Sequence, residues 1–197
     1  KSLKDFENSK QKDLYPAICE IIHNCLTANI PGIGKLNSIS TDKKLAEIEF
    51  HYHIPTEIKK NEFLSIANEI FADYKTLKLS LSETQLSAGF MKGFIDLFFE
   101  KDGKYYFVDW KSDILPDYSS ETICKTMLCE AYIFQYLIYS LAIHLYLKKR
   151  LKNYEIEKHF GGGLYIFLRG FDQQNQYGLW RHTCNQQLIE RLEKCIL

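Results

Sequence analysis

Two aspartates and a lysine stand where a tight hairpin would gather them. The runs Gly93-Phe94-Ile95-Asp96-Leu97-Phe98-Phe99-Glu100-Lys101 and Lys104-Tyr105-Tyr106-Phe107-Val108-Asp109-Trp110-Lys111 are rich in β-formers and flank Asp102-Gly103. An Asp-Gly dipeptide in that setting is the strongest short-range signal for a two-residue hairpin turn. Such a turn pairs Lys101 with Lys104 and, carried along the strands, Asp96 with Asp109. Opposed side chains have Cβ atoms roughly 4.5–5.5 Å apart, so the two carboxylates repel unless a proton or a cation lies between them. Lys111, two residues beyond Asp109, falls on the same face and diagonal to Asp96.

Two acids and a base at one point suit phosphodiester hydrolysis. The carboxylates can hold a hard divalent ion such as Mg²⁺, which prefers oxygen ligands and keeps waters for chemistry. The ion polarises the phosphate and lowers the pKa of water, while Lys111 orients that water or meets charge building on the phosphate. Glu49, on the polar face of another strand, is a further candidate ligand or water-positioning group. The same spacing also suits a surface salt-bridge cluster. Against that, Phe94, Ile95, Leu97, Phe98, Phe99, Phe107 and Val108 are apolar on both faces, so the hairpin reads as central in a sheet. Charges inside a sheet are rarely left unpaired.

The elements that must position these groups are legible from periodicity. Ile18, Ile21, Ile22 and Leu26 predict an amphipathic helix within residues 1 to 29, followed by a loop containing Pro31, Gly32 and Gly34. Alternation of Ala46, Ile48, Phe50 and Tyr52 predicts a half-buried strand whose other face carries Glu47, Glu49 and His51. A helix is predicted over 61 to 75. One long helix is predicted from 121 to about 149, with Met127, Ala131, Phe134, Ile138, Leu141 and Leu145 on its apolar side. Gly161 to Gly163 precede a strand at Leu164 to Leu168, and a terminal helix starts near Asn185. Strands mixed with covering helices give an α/β layer architecture.

Gly93-Phe94-Ile95-Asp96 followed by Asp109-Trp110-Lys111 resembles the PD-(D/E)xK nuclease superfamily. The wider context resembles the nuclease domains of exodeoxyribonuclease V beta subunits. It is carried by Met91 to Leu97, Tyr105 to Ser112, Gln135 to Ala142, His159 to Gly162 and Tyr165 to Gly170, in family order. The resemblance implies a restriction-endonuclease-like core, a mixed central β-sheet flanked by helices. It implies that Asp96 and Asp109 bind catalytic Mg²⁺, a site Mn²⁺ or Ca²⁺ also occupies, with the backbone carbonyl of Trp110 completing it. Lys111 becomes the catalytic lysine, and Gln135 and Tyr139 the Gln-x-x-x-Tyr motif, in contact with DNA or supporting the site. Residues four apart do share a helical face. The family's metal-ligating histidine on an upstream helix has no match. His23 is on a predicted helix but is not assigned that role, and His51 and His53 flank Glu49 as structural or exposed histidines.

The implied activity is Mg²⁺-dependent exonucleolytic cleavage of DNA in double-strand-break repair and recombination. The implied partners are DNA and the helicase and other subunits of an exodeoxyribonuclease V-like complex in a bacterial cytoplasm. Residues 1–197 read as a single nuclease domain, and the opening Lys1 suggests a fragment of a larger helicase-nuclease subunit. No Gly-x-x-x-x-Gly-Lys loop occurs, so ATP hydrolysis does not reside in these residues. The rival readings are a non-catalytic nuclease-like module that binds DNA or a partner, and an RNA-directed nuclease.

Composition bounds these readings. Hydrophobic residues make up 46% and charged residues 25%, ordinary for a folded domain. Lys+Arg and Asp+Glu are equal at 25 each, so any nucleic-acid contact must come from a local patch. The candidates are Lys148 to Arg150 with Lys152, Lys43 with Lys44, and Lys59 with Lys60, each of which also reads as a solvated helix end or loop. The six cysteines contain no Cys-x-x-Cys pair and read as free thiols, not as a zinc or iron–sulfur set. No run of about 18 apolar residues predicts a membrane span.

Overall fold

The computed structural model describes residues 3–54, 59–72, 89–171 and 177–197. Helix α1 (Leu3–Thr27) leads through two short 3₁₀ turns to strand β1 (Lys44–Ile54) and helix α2 (Lys60–Ile70). The hairpin β2 (Gly89–Lys101) and β3 (Lys104–Lys111) follows. Next come α3 (Ser120–Cys129), α4 (Tyr132–Arg150), the single turn α5 (Ile156–His159), β4 (Phe160–Phe167), β5 (Leu179–His182) and α6 (Gln186–Ile196). The strands form one sheet in the order β1-β2-β3-β4-β5, with β3 at its centre. All neighbours are antiparallel except β3 and β4, which run parallel. A parallel pair needs a long crossover, and α3, α4 and α5 supply it. The α/β expectation, a mixed sheet flanked by helices, holds.

Three layers result. Phe98, Phe107, Tyr165 and Phe167 on one sheet face pack under α2, α3, α4 and α6. Phe99, Tyr106, Val108, Leu164 and Ile166 on the other face pack against Cys25 of α1, Ala28 just beyond it and the segment from Ile30 to Ile39. With both faces covered, β3 and β4 read as near-continuous apolar runs. The glycines before Leu164 lie within β4, not ahead of it. A Cβ at Gly161 would fall on the Tyr106 ring and one at Gly163 on the Phe107 ring, so their absence seats two aromatics of β3.

Two expectations are corrected. The stretch 121–149 is two helices whose axes bend by 81°. Ala131 adopts left-handed φ of 58° between them, although neither Gly nor Pro marks the break. Both helices keep an apolar side toward the same core, so periodicity alone ran through the turn. The apolar face expected of α1 is also displaced: Ile18, Ile22 and Leu26 are exposed, while Cys25 is buried and Ile21 partly so. The small Cys25 side chain faces the sheet from that helix. Residues 73–75 of the expected 61–75 helix lie outside the described residues. Strand β5 has no counterpart among the predicted elements, because its four residues are too short to show a period. Among the described residues no single helix is long and apolar enough to cross a membrane.

Strand β5 carries a buried polar cluster. Tyr136 of α4 is fully buried, and its hydroxyl lies 2.8 Å from His182 Nδ1 and 3.3 Å from Cys184 Sγ. Burial pushes the His182 imidazole down to about 4 from the usual 6.5. The folded state therefore holds His182 neutral, and as pH falls through about 6.5 the unfolded chain takes up a proton that the folded chain refuses.

Two predictions follow from the strained turn and from this cluster. Ala131→Gly removes the left-handed penalty and should raise unfolding free energy by about 1 kcal/mol in urea titrations. Between pH 6.5 and about 4, the melting temperature should fall further for the parent chain than for His182→Asn, each measured against its own value at neutral pH. Parallel pH profiles would remove His182 from the acid sensitivity.

Candidate active site

The hairpin register is as the turn chemistry requires. Asp102 and Gly103 both take positive φ, 53° and 79°, as a tight turn that matches strand twist demands. The ladder runs from Lys101–Lys104 to Leu97–Val108. It stops one pair short of Asp96 and Asp109. Continued pairing would direct the Trp110 N–H to the carbonyl of Ile95. Instead that N–H donates to Asp96 Oδ2 at 2.8 Å. The alternation of β2 slips at this point: Ile95 and Phe98, an odd and an even residue, face the same core. On the neighbouring strand Glu47, placed across from Asp96, takes φ of 53°. The sheet thus parts locally and turns the Asp96 carboxylate against the edge of β3.

Asp109 and Lys111 lie on the α4 side of β3, only 4% and 9% exposed. Lys111 Nζ is 2.6 Å from Asp109 Oδ2 and donates to Gln135 Oε1 at 2.8 Å. Gln135 Nε2 donates to the Tyr139 hydroxyl at 2.9 Å, which donates to the Phe94 carbonyl at 2.6 Å. A continuous chain therefore links the lysine through one face of α4 back to β2, two residues before Asp96. Burial raises the Asp109 carboxyl above the usual carboxylate range. The Lys111 charge offsets part of that rise, and the nearby Asp96 adds to it.

The other side of Lys111 is aromatic. Its ammonium sits 3.8 Å from the centroid of Tyr132 and 5.2 Å from that of Tyr165. The Tyr132 hydroxyl donates to Asp113 Oδ1 at 3.0 Å, and burial together with that bond pushes it up to about 12. Tyr132 was not singled out from the sequence. The signal was present, since it precedes Gln135 by three and Tyr139 by seven and so continues their helical stripe. What placed it over the lysine was the turn at Ala131, where α4 begins.

Glu49 is not brought to this cluster. It lies across from Phe94 on β1, exposed, with its carboxylate on Lys92 and His51. Lys92 above all holds it below the usual range. Ile48 and Phe50 of the same strand face the α4 side, so Glu49 points to the opposite one. His23 is exposed on α1, and His51 is exposed beside Glu49.

Among the described residues no three His, Cys, Asp or Glu side chains converge as metal ligands. The donors nearest one another are oxygens: the Asp96 carboxylate, which accepts from the Trp110 N–H, and the Asp109 carboxylate, which feels the Asp96 charge, while the Trp110 carbonyl leaves β3 on the same edge as its N–H. One further atom waits there. The Tyr165 hydroxyl, paired in register with Asp109, is buried without a hydrogen-bond partner among the described residues. Asp109, Tyr139 and Asp96 add to the effect of burial in raising it, so it lies close to the acids. Two carboxylates, a carbonyl and an unpartnered hydroxyl fit a hydrated Mg²⁺, which is held by one or two carboxylates and keeps several waters.

The chain aligns over 185 residues, 91% of its length, with the RecBCD enzyme subunit RecB of Escherichia coli K12 at 32% identity. It aligns over 184 residues, 89% of its length, with RecB of Buchnera aphidicola subsp. Schizaphis graminum at 34%. RecB of Haemophilus influenzae Rd matches 53% of the chain at 42%. The chain belongs to the RecB C-terminal nuclease-like domains. It spans 16%, 15% and 9% of those three relatives, so this RecB-type domain corresponds to a small part of each. No protein-family model matches the chain.

In this RecB-type domain the aromatic seat of Lys111 is testable without any activity. Tyr132→Leu should cost about 1–2 kcal/mol more stability than Tyr132→Phe, which keeps the ring face and loses only the Asp113 bond. The excess should vanish in a Lys111→Met background, a double-mutant cycle read by urea unfolding. An excess that survives there would show the ring to be packing alone.

Proposed function

We propose that this chain is a divalent-metal-dependent deoxyribonuclease domain of the exodeoxyribonuclease V type. The observation that carries the reading is the buried pair Lys111–Asp109, 2.6 Å apart, with Asp96 on the neighbouring strand and Gln135 behind the lysine. Asp96, Asp109 and the Trp110 carbonyl would hold Mg²⁺, with Mn²⁺ or Ca²⁺ as substitutes. When bound, the ion supplies positive charge beside the scissile phosphate and acidifies water.

The chain's own residues do the rest. Lys111 is held by Gln135 and the Tyr132 face, so its ammonium keeps its place when the Asp109 charge is shared with a cation. There it meets negative charge growing on the phosphate, or fixes the attacking water. Gln135 and Tyr139 fix the lysine and the Phe94 carbonyl from one helix face, and so set the spacing between Asp96 and Lys111. Tyr165 offers its hydroxyl to a water at the acids. Burial of Asp109 and Lys111 makes each of these interactions stronger than it would be in bulk water.

The relatives are named as subunits of a RecBCD enzyme. On that basis the domain works in a RecBCD-type helicase-nuclease, on DNA, in double-strand-break repair and recombination. ATP hydrolysis belongs to other parts of such an assembly, since this chain has no phosphate-binding Gly-rich loop of the Gly-x-x-x-x-Gly-Lys type.

The test is cleavage of linear duplex DNA, single-stranded DNA and RNA, each with Mg²⁺ and with EDTA. DNA should be cut, in Mg²⁺ only, and Lys111→Ala should lose at least about 10²-fold in rate while its circular dichroism stays that of the parent. Preferential cutting of RNA would sink the DNA assignment. Undiminished cutting by Lys111→Ala would place the chemistry elsewhere.

A further inference from the structure

Two of the basic clusters in the sequence, about a hundred residues apart, meet at one cavity. Lys43 just before β1, Lys44 at its start and Arg150 at the end of α4 stand on its rim, and Phe98, Tyr105 and Tyr146 form its floor. The cavity is about 290 Å³, the small end of the range for ligand pockets. Tyr105 stacks on Phe98 at 5.7 Å, and Tyr146 meets Phe98 edge-on at 5.9 Å. Leu45 beside them is 53% exposed, so apolar surface opens to solvent here.

The rim charge is not self-neutralised. Its two acids are already engaged: Glu100 takes Lys43 at 2.6 Å and the Gly103 N–H at 2.8 Å, and Asp42 takes the Ser40 hydroxyl. Arg150 lies over the Tyr146 ring at 5.4 Å. Neither Arg150 nor Lys44 has an acidic partner among the described residues, and Lys149 and Lys152 add further exposed cations nearby. Repulsion among those charges is relieved by a polyanion. An aromatic floor under a cationic rim suits an unpaired base with its flanking phosphates, because every base has a face to stack and a phosphate beside it.

The cavity is separated from the acids but joined to them by two rigid elements. Tyr105 precedes Lys111 by six residues of strand, about 20 Å. Arg150 follows Gln135 by fifteen residues of helix, about 22 Å. Tyr139 and Tyr146 share one face of α4, so the Lys111 chain and the cavity floor lie on the same flank of that helix.

We propose that this cavity is a second nucleic-acid subsite, which holds an unpaired stretch of the DNA strand about 20 Å from the acids and lysine of the hairpin. The role as a strand anchor rests on the nuclease reading; the binding itself does not. The test is fluorescence anisotropy in EDTA with a labelled single-stranded oligodeoxynucleotide. Lys44→Glu/Arg150→Glu should bind about tenfold more weakly, and its slope of log affinity against log salt should flatten by about 1.4, two phosphate contacts' worth. Lys35→Glu, an exposed reversal on the opposite layer, should leave both unchanged. An abasic strand of equal length should bind the parent chain about tenfold more weakly than the normal strand.

Unchanged affinity and slope in the double variant would overturn the subsite, and equal affinity for the abasic strand would overturn base stacking on its floor. Tighter binding of duplex than of single strand, lost equally in the double variant, would overturn the preference for an unpaired strand. If no metal-dependent cleavage occurs while the double variant still loses binding, the nuclease reading falls and the subsite stands.

Discussion

The interaction on which the rest of this structure turns is an ion pair in a nearly dry place. Asp109 and Lys111 lie on the central strand of a sheet covered on both faces, where an unpaired charge would cost several kcal/mol. Mutual attraction offsets that cost only if the remaining donors and lone pairs are also met. Gln135 and the faces of Tyr132 and Tyr165 meet those of the lysine. Asp109 keeps a raised carboxyl even so, with Asp96 beside it. The cluster as it stands carries more negative charge than one ammonium can neutralise, and that surplus is what a cation would answer.

Much of the architecture serves to deliver these partners. Gln135 and Tyr132 reach Lys111 because α4 starts afresh after an 81° bend. A single straight helix over 121–149 would have carried its apolar side past the lysine. Tyr165 reaches it because β4 runs parallel to β3, in register with Asp109, and Gly161 and Gly163 clear the space for the aromatics of β3. Asp96 reaches it because β2 gives up one rung of its ladder and spends a side-chain oxygen on the Trp110 N–H instead. Local irregularities, a left-handed alanine and a slipped strand, sit next to this cluster, as expected where positioning outweighs regularity.

What the sequence disclosed and what it hid divide along physical lines. The hairpin was legible from its turn as far as Leu97 and Val108, because Asp102-Gly103 fixes turn type and register, but the expected pairing of Asp96 with Asp109 is not formed. Gln135 and Tyr139 were marked by the family resemblance; helical spacing says only that they share a face. Glu49 was placed by alternation on the polar side of β1, but alternation does not say which side of the sheet the site occupies, and the structure puts it on the other one. The break at Ala131 was hidden because neither Gly nor Pro marks it and the apolar periodicity continues through it. The slip at Asp96 was hidden because it arises from a side chain outcompeting a backbone carbonyl, a contest no propensity records. The outward face of α1 was hidden because periodicity names a stripe without naming what covers it.

The parallel pairing of β3 with β4 has a consequence for when the domain becomes competent. The hairpin closes over a two-residue turn and is the part of the site able to form first, while loops of tens of residues must close before the distant segments arrive. During synthesis, therefore, the segment that carries Asp96, Asp109 and Lys111 is made before Gln135 and Tyr165, the residues that hold the lysine. Until that closure the lysine is solvated and free to swing, and the acids see water rather than a walled recess. The order of the chain thus separates the two halves of this cluster in time: the acids and the lysine are made first, and the residues that hold the lysine arrive with α4 and β4.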